Sequence, residues 1–205
     1  MKAYRAEVLH REDYRVTAWS GGKTTELSIE PRESIYADRD FLWRLSSATV
    51  ELEESDFTSL PDYNRIIMTL EGSIELRHNG GGWIELPEYT PYSFDGADDT
   101  QSVGKVVDFN LMMRKGKCTG AVIPLRMMDN ETADLGSILM QEMSRPDEII
   151  IYCPKGHLDV TDERGEVSRL APGETLRLEG DLAGKTWTLK ALDGVAAVAA
   201  AVKYL

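Results

Sequence analysis

The chain has 205 residues and a mass of 22.9 kDa, which suits one large domain or two small fused domains with a sizeable core. Its 23 Lys and Arg residues against 35 Asp and Glu residues give a formal net charge of −12. Such a surface repels phosphate backbones and anionic lipid, so neither nucleic acid nor membrane is expected as a partner. The chain has only two cysteines, and no basic start followed by an apolar stretch marks a secretory signal or a membrane span. A cytoplasmic, reducing environment is therefore expected.

The apolar pattern predicts an all-β protein, because most of the chain alternates with period two or runs apolar for a few residues between turn-forming residues. In chain order, the predicted strands of the first half are Thr25–Ile29, Trp43–Val50, Arg65–Leu70, Ser73–Arg77, Gly82–Leu86, Tyr92–Phe94 and Val106–Met113. Those of the second half are Ala121–Leu125, Glu148–Cys153, Leu158–Thr161, Val167–Leu170, Thr175–Leu178, Thr186–Ala191 and Val195–Tyr204. Ala133–Met143 is the stretch best suited to a helix, and a strand is equally compatible there because Gly136 and Pro146 oppose a helix.

A shift of 84 residues superimposes the two halves of the sequence without a gap. The shift lays Gly72 on Gly156 and Leu86 on Leu170, and it keeps apolar positions on apolar positions. Such self-similarity indicates a tandem duplication of one β unit. The expected division is an N-terminal lobe over residues 1–120 and a C-terminal lobe over residues 121–205, each a barrel that closes its own edges.

The repeated cassette is an apolar strand, a glycine, a short strand, a glycine-bearing turn and then Leu-Pro or Leu-Ala-Pro, and it resembles the cupin barrel. The resemblance implies a bicupin, that is, a two-lobed cupin with jelly-roll-like barrels. In metal-binding cupins a glutamate ligand stands seven residues before the strand-ending glycine, whereas this chain has Arg65 before Gly72 and Ile149 before Gly156. Arginine cannot ligate a metal, since its guanidinium offers only donors and stays protonated. No metal or other cofactor is therefore expected, and the C-terminal lobe is expected to be mainly structural.

Alternation along the strands places several polar residues of the first half on shared faces. Arg44 and Ser46 share one face of their strand, and Asp108 and Asn110 share one face of theirs, because successive side chains point to opposite sides. If these faces and Arg65 point into the barrel, its lumen suits a small polar anion. If they point to solvent, they are ordinary surface.

Inward-facing Arg44 and Arg65 would need counterions, because burying an ion without a partner is strongly unfavourable. Asp95 or Asp108 would supply one of them, and a ligand carboxylate the other. The favoured function is the binding of a small anionic metabolite, with Arg44 and Arg65 as carboxylate clamps and with Asp108 and Asn110 orienting the ligand. Two alternatives stay open. One is a metal-independent isomerase or hydrolase with Asp95 or Asp108 as general base, and the other is an interaction protein with a filled barrel.

Five segments of the first half also resemble the HutD/Ves family in their order and spacing. They are Trp19–Glu26, Phe41–Ala48, Tyr63–Arg65 together with Leu70–Gly72, Phe94–Gly96 and Asp108–Arg114. The resemblance implies a two-lobed cupin without the usual metal ligands, and one branch of the family is associated with histidine-utilization genes and proposed to bind formylglutamate as a regulator. It assigns to the pocket Trp19, Gly21, Gly22, Thr24, Arg44, Ser46, Arg65, Asp95, Asp108 and Asn110.

The chain departs from that family pattern in one place. Ser20 and Lys23 stand where the family usually shows Asn and a longer glycine run, a departure that bears on the ligand or its orientation. The implied partner is thus a small anionic metabolite that is formylglutamate-like by resemblance. A homodimer is compatible with the sequence.

Overall fold

The computed structural model describes residues 3–205. As far as residue 114 the strands are β1 (Arg5–Leu9), β2 (Arg15–Trp19), β3 (Gly22–Glu30), β4 (Trp43–Val50), β5 (Glu54–Asp56), β6 (Tyr63–Glu71), β7 (Ile74–His78), β8 (Trp83–Leu86), β9 (Tyr92–Asp95), β10 (Thr100–Val103) and β11 (Val106–Arg114). The later strands are β12 (Cys118–Met127), β13 (Thr132–Asp134), β14 (Glu148–Lys155), β15 (Leu158–Asp162), β16 (Val167–Leu170), β17 (Glu174–Glu179), β18 (Trp187–Ala191) and β19 (Val195–Tyr204). The helical segments are α1 (Leu135–Met140) and the 3-10 helices Arg11–Asp13 and Tyr36–Asp38. None of the helices in residues 3–205 has the length and apolar character needed to cross a bilayer.

The described residues divide into two compact units. The N unit is Tyr14–Thr119 together with Leu205, and the C unit is Gly120–Tyr204 together with the residues up to Asp13. The sequence division assigned residues 1–120 to one lobe. The structure differs at the amino end because β1 is an edge strand of the C unit, antiparallel to β17 with Ala6 opposite Leu178.

The N unit consists of two sheets that pack face to face. One has six strands in the order β2-β3-β4-β11-β6-β9, and the other has four in the order β5-β10-β7-β8. Their shared apolar cluster contains Val50, Ile67, Phe94 and Val106 from the six-stranded sheet and Ile74, Leu76 and Leu86 from the four-stranded sheet. This cluster stabilises the sheet pair by removing apolar surface from water.

The C unit repeats this arrangement with an apolar interior. Its sheets have the orders β1-β17-β14-β19-β12 and β13-β18-β15-β16, and residues from both sheets and from α1 form one core cluster. Ile149, which the sequence repeat aligns with Arg65, belongs to this cluster and is 1% exposed. The mainly structural role of this lobe stays a prediction.

The repeat seen in the sequence extends to strand positions and to one glycine conformation. The 84-residue shift carries the first residue of β7 to that of β15 and lays β8 on β16. Gly72 and Gly156, which precede β7 and β15, have φ values of 79° and 84°. A Cβ would lie 2.8 Å from the backbone oxygen of Lys105 in the first case and 2.5 Å from that of Gly194 in the second. Both turns therefore require glycine.

The predicted all-β class is confirmed, and every predicted strand overlaps an observed one, with ends that differ by a few residues. The sequence pattern misses β1, β2, β5, β10 and β13, which are short, and β2 is exposed at each of its positions. The ambiguous stretch Ala133–Met143 contains the end of β13 followed by α1. The Asp134 carboxylate caps this helix by accepting a hydrogen bond from the Ser137 N–H at 2.7 Å.

Candidate functional site

A cavity of about 460 Å³ lies in the N unit on the inner face of its six-stranded sheet. Its wall residues on neighbouring strands are alternate residues, as expected where one face of a sheet lines a cavity. These are Arg15, Thr17 and Trp19 of β2, Thr24 and Glu26 of β3, Arg44, Ser46, Ala48 and Val50 of β4, Arg65 of β6, and Asp108, Asn110 and Met112 of β11. Residues 35–37 and 55–58 complete the wall. The interior of this unit is therefore not filled. The interaction-protein alternative requires a filled barrel.

Strand register brings the two predicted arginines to the same part of this wall. On β11, Asn110 lies opposite Ser46, and Met112 lies opposite Arg44. On its other side, Met112 lies opposite Arg65 of β6. Arg44 and Arg65 thus flank one position of the central strand, and the polar faces inferred from alternation point into the cavity.

Arg65 is a buried cation without a counterion in the described part of the chain. The residue is 5% exposed, and its guanidinium carbon lies 4.8 Å from the ring centroid of Phe57 and 5.1 Å from that of Phe94. No carboxylate of residues 3–205 forms an ion pair with it within 4.0 Å, and its buried Nε has no hydrogen-bond partner. Burial lowers the pKa of Arg65 to about 10, because desolvation disfavours the charged form. Arg65 therefore lines the cavity as a cation without an anionic partner among residues 3–205.

Arg44, in contrast, already has a carboxylate partner. Its Nε donates to Glu26 Oε2 at 2.7 Å, and one terminal nitrogen donates to Ser46 Oγ at 3.2 Å. The Tyr36 ring covers the guanidinium, with 4.3 Å between the guanidinium carbon and the ring centroid. Glu26 also accepts from the half-exposed Arg15 at 3.3 Å. Arg15, Glu26 and Arg44 therefore form one connected ionic network.

Glu26 is the counterion of Arg44, whereas Asp95 or Asp108 was predicted to pair with one of the two arginines, Arg44 or Arg65. Glu26 lies opposite Ser46 in the pairing of β3 with β4, so it reaches the Arg44 side chain from the neighbouring strand. The predicted strand over Thr25–Ile29 already contained this residue. The missing information was which strands are neighbours, and period-two alternation does not supply it.

Asp108 and Asn110 follow each other on the cavity side of β11. Asp108 Oδ1 accepts from the Ala48 N–H at 3.0 Å, and burial raises the pKa of Asp108 to about 6, although that hydrogen bond, Arg65 and Arg44 act to lower it. The Asn110 Oδ1 atom is buried without a partner. Asn110 thus presents an acceptor that a ligand N–H or O–H would satisfy.

The segment that joins β2 to β3 contains two residues of the cavity wall and two glycines. Trp19 and Thr24 line the cavity, whereas Gly21 and Gly22 do not. A Cβ on Gly21 would lie 2.0 Å from the Trp19 ring, and a Cβ on Gly22 would lie 1.8 Å from the Thr49 backbone oxygen. Gly22 also has a φ of 148°. Gly21 therefore leaves space for the Trp19 ring, and Gly22 leaves space for the backbone of β4.

Gly22→Ala is expected to lower the free energy of unfolding by at least about 2 kcal/mol, because it combines an unfavourable φ with an overlap against the β4 backbone. Chemical denaturation measures the change. Gly82→Ala is the matched control, since a Cβ there meets nothing within 4 Å. Equal stabilities of the two variants would contradict the close approach of Gly22 to β4.

Asp95 does not lie at the cavity. Its neighbour Phe94 is 9% exposed and points inward, so the alternation of β9 directs Asp95 to the other side, opposite Asn64. The Asp95 side chain is 46% exposed and forms an ion pair with Lys115. The structure thus separates Asp95 from the pocket residues with which the sequence analysis grouped it.

Two aromatic wall residues were not identified from the sequence. Tyr36 lies in a 3-10 helix between β3 and β4, and Phe57 follows β5. Neither stands on a predicted strand, so alternation gives no information about the direction of its side chain. Their positions depend on loop conformation, which a single sequence does not reveal.

Comparison with known sequences relates the whole cavity unit to one family. The family model described as HutD matches residues 11–198. A protein from Pseudomonas putida described as an uncharacterized 21.2 kDa protein in the hutC 3' region is 26% identical over 181 residues, which cover 85% of this chain and 87% of that protein. The family match therefore covers Tyr14–Thr119 of the N unit and most of the C unit.

Solved structures share the fold over nearly the full length. A conserved protein of unknown function from Pseudomonas aeruginosa PAO1 has a TM-score of 0.81 at 22% identity, covering 98% of this chain and 100% of that chain. HutD from Pseudomonas fluorescens SBW25, solved in a formate condition, has a TM-score of 0.74 at 20% identity with the same coverage of 98% and 100%. The predicted two-lobed cupin fold is confirmed, and the chain belongs to the HutD family.

Proposed function

We propose that the N unit binds a small carboxylate metabolite through Arg65. The observation that carries this proposal is the buried Arg65 guanidinium, which faces a cavity of about 460 Å³ and has an unpartnered Nε. A desolvated cation without a partner is unfavourable. A ligand carboxylate would relieve this by accepting two charge-assisted hydrogen bonds from the planar guanidinium. Phe57 and Phe94 would hold that plane in position through cation-π contacts.

The neighbouring polar groups suggest what the ligand carries beside its carboxylate. Asn110 lines the cavity and is 4% exposed, and its Oδ1 is buried without a hydrogen-bond partner. A buried acceptor without a partner is costly. We therefore expect the ligand to direct an N–H or O–H group at Asn110.

We further propose that this binding serves the regulation of amino-acid catabolism, specifically that of histidine. In support, the P. putida relative is described by its position beside hutC, and the P. fluorescens HutD structure was solved in a formate condition; formate is the simplest carboxylate. The formylglutamate-like ligand implied by the HutD/Ves resemblance has the carboxylate and the N–H that Arg65 and Asn110 would recognise.

A second candidate function is catalysis with Asp108 as general base. The observation in its favour is the raised pKa of Asp108, about 6, at a residue that lines the cavity. A carboxylate with such a pKa is suited to proton abstraction near neutral pH. Asp95, the other candidate base, lies outside the cavity wall.

Calorimetric titration at pH 6 tests the proposal. The ligands are acetate, valerate, glutarate and N-formylglutamate, and the corresponding neutral amides are the controls. We expect 1:1 binding of at least one acid and no binding of the amides; equal heats for acids and amides would contradict carboxylate recognition. Proton NMR of each mixture over several hours separates the two candidate functions, because consumption of the acid would favour the enzyme.

Asp95→Asn is expected to leave the carboxylate affinity within about twofold of the unmodified protein, because the residue is on the opposite side of β9 from the cavity. The same calorimetric titration measures it. A tenfold loss of affinity would return Asp95 to the site and would contradict the strand alternation on which its exclusion rests.

A further inference from the structure

The cavity contains a carboxylate of its own, supplied by Glu26. This residue is 8% exposed, and its two carboxylate oxygens have different partners: Oε2 accepts from Arg44 at 2.7 Å and Oε1 is 3.3 Å from Arg15. A carboxylate held between two arginines in this way occupies the position that a second ligand carboxylate would need. The two cavity-lining arginines predicted to act alike therefore differ in what they offer to a ligand.

The distribution of charge along the wall supports the same conclusion. Arg44 has Glu26 and the Ser46 hydroxyl as acceptors, whereas Arg65 has neither an ion pair nor a partner for its Nε among residues 3–205. One incoming carboxylate would pair with Arg65. A second would have to displace Glu26 from Arg44 and leave that carboxylate buried beside it, which like-charge repulsion and desolvation both oppose.

The rest of the cavity wall favours a ligand that has a single charged group and an otherwise apolar body. The apolar lining residues are Trp19, Ile35, Tyr36, Ala37, Ala48, Val50, Phe57 and Met112. Most binding cavities combine such a lining with a few polar groups that fix orientation. Among the described residues of the wall, the buried polar atoms without a hydrogen-bond partner are Ser55 Oγ, Arg65 Nε and Asn110 Oδ1.

We propose that Glu26 is a specificity-determining residue that makes the cavity prefer monocarboxylates over dicarboxylates by occupying Arg44. This inference rests on the proposed binding function and narrows its ligand class. A formylglutamate-like dicarboxylate then binds more weakly than a monocarboxylate of similar size. Removing the charge of Glu26 opens Arg44 to a second carboxylate.

Valerate and glutarate form a suitable probe pair, because both have five carbons and differ by one carboxylate. Calorimetry is expected to show valerate binding at least tenfold more tightly than glutarate in the unmodified protein. Glu26→Gln retains the shape of the side chain, and it is expected to shift this ratio toward glutarate by at least tenfold. Glu75→Gln, at an exposed residue of β7, is the matched control and is expected to keep the original ratio.

A double variant shows whether the shift acts through Arg44. Glu26→Gln combined with Arg44→Gln removes both charges, so the gain for glutarate is expected to disappear. A purely structural role of Glu26 would not produce such a reversal. Melting temperatures of all variants establish that the comparison is between folded proteins.

The outcomes separate this inference from the proposed function. If the unmodified protein binds neither acid nor any other carboxylate, the binding function itself is contradicted. If it binds glutarate as tightly as valerate, or if folded Glu26→Gln keeps the valerate preference, binding stands and the role of Glu26 is contradicted. If Glu26→Gln does not fold, the ratio of the valerate affinity to the glutarate affinity is measured in the unmodified protein and in the double variant. Equal affinities for the two acids in either of these proteins overturn the inference.

Discussion

Arg65→Met is expected to abolish carboxylate binding while making the protein more stable. Affinity falls by at least about 100-fold, because the guanidinium supplies charge-assisted hydrogen bonds that Met cannot replace. The free energy of unfolding rises by roughly 3–4 kcal/mol, since burial lowers the Arg65 pKa from 12.5 to about 10 and one pKa unit corresponds to about 1.4 kcal/mol. Met retains most of the side-chain length between Phe57 and Phe94.

Calorimetry with valerate and chemical denaturation together measure this prediction. Arg77→Met is the matched control: Arg77 lies on β7 outside the cavity wall, donates to Gln101 at 3.0 Å and stacks over Trp83. We expect its carboxylate affinity to be that of the unmodified protein. A stable Arg65→Met that still binds valerate would show that Arg65 is not the anion site, whereas an unfolded one would show that Arg65 is structural.

The second large effect is a dependence of carboxylate affinity on pH. We expect affinity to fall by up to about tenfold per pH unit above pH 6, because the pKa of Asp108 in the free protein is about 6. The charged groups that act on Asp108 are Arg65 on β6 and Arg44 on β4, and the Ala48 N–H donates to it. Arg65 favours the ionised form of Asp108. A ligand anion at Arg65 offsets this effect and also repels the ionised Asp108 carboxylate. Binding therefore raises the Asp108 pKa further and takes up a proton.

Asp108→Asn is expected to remove this pH dependence and to tighten binding at pH 8. Calorimetric titrations between pH 5.5 and 8 in buffers of different ionisation enthalpy measure both the affinity and the proton uptake. Asp62→Asn, at an exposed residue of the same unit, serves as the control and is expected to keep the slope. If Asp108→Asn shows the same fall in affinity with pH, the titrating group is elsewhere.

The raised pKa of Asp108 also affects the stability of the protein without ligand. The pKa in the folded protein lies above the ordinary value of 3.8, so the folded state binds this proton more tightly than the unfolded state does. Ionisation of Asp108 lowers the free energy of unfolding. This effect is absent below about pH 4, grows as the pH rises to about 6, and stays constant above that pH at about 3 kcal/mol.

Strand alternation accounts for most of what the sequence predicts about the site. Arg44, Ser46, Asp108 and Asn110 share faces by simple parity, and the structure directs those faces into the cavity. The sequence leaves open whether the faces are inward or outward, because an antiparallel sheet with one solvated face has the same alternation. Arg65 was identified by its distance from Gly72, a conformational marker that the structure retains with a φ of 79°.

The remaining features depend on which strands are neighbours and on loop conformation. Glu26 reaches Arg44 only because β3 lies beside β4, and Tyr36 covers that arginine from a short 3-10 helix. Asp95 was grouped with the site through its motif, although parity with inward-facing Phe94 directs it away. Local sequence patterns determine the side of a strand, whereas long-range pairing determines the partners.

A crystal structure with bound 4-bromobenzoate tests most directly the claim that Arg65 receives a single carboxylate. The anomalous signal of bromine locates the ring, and the electron density shows the carboxylate. We expect its oxygens within about 3 Å of the Arg65 nitrogens, with the Glu26 carboxylate still on Arg44. A carboxylate bound to Arg44 with Glu26 displaced, or a ligand outside the cavity, would contradict the claim.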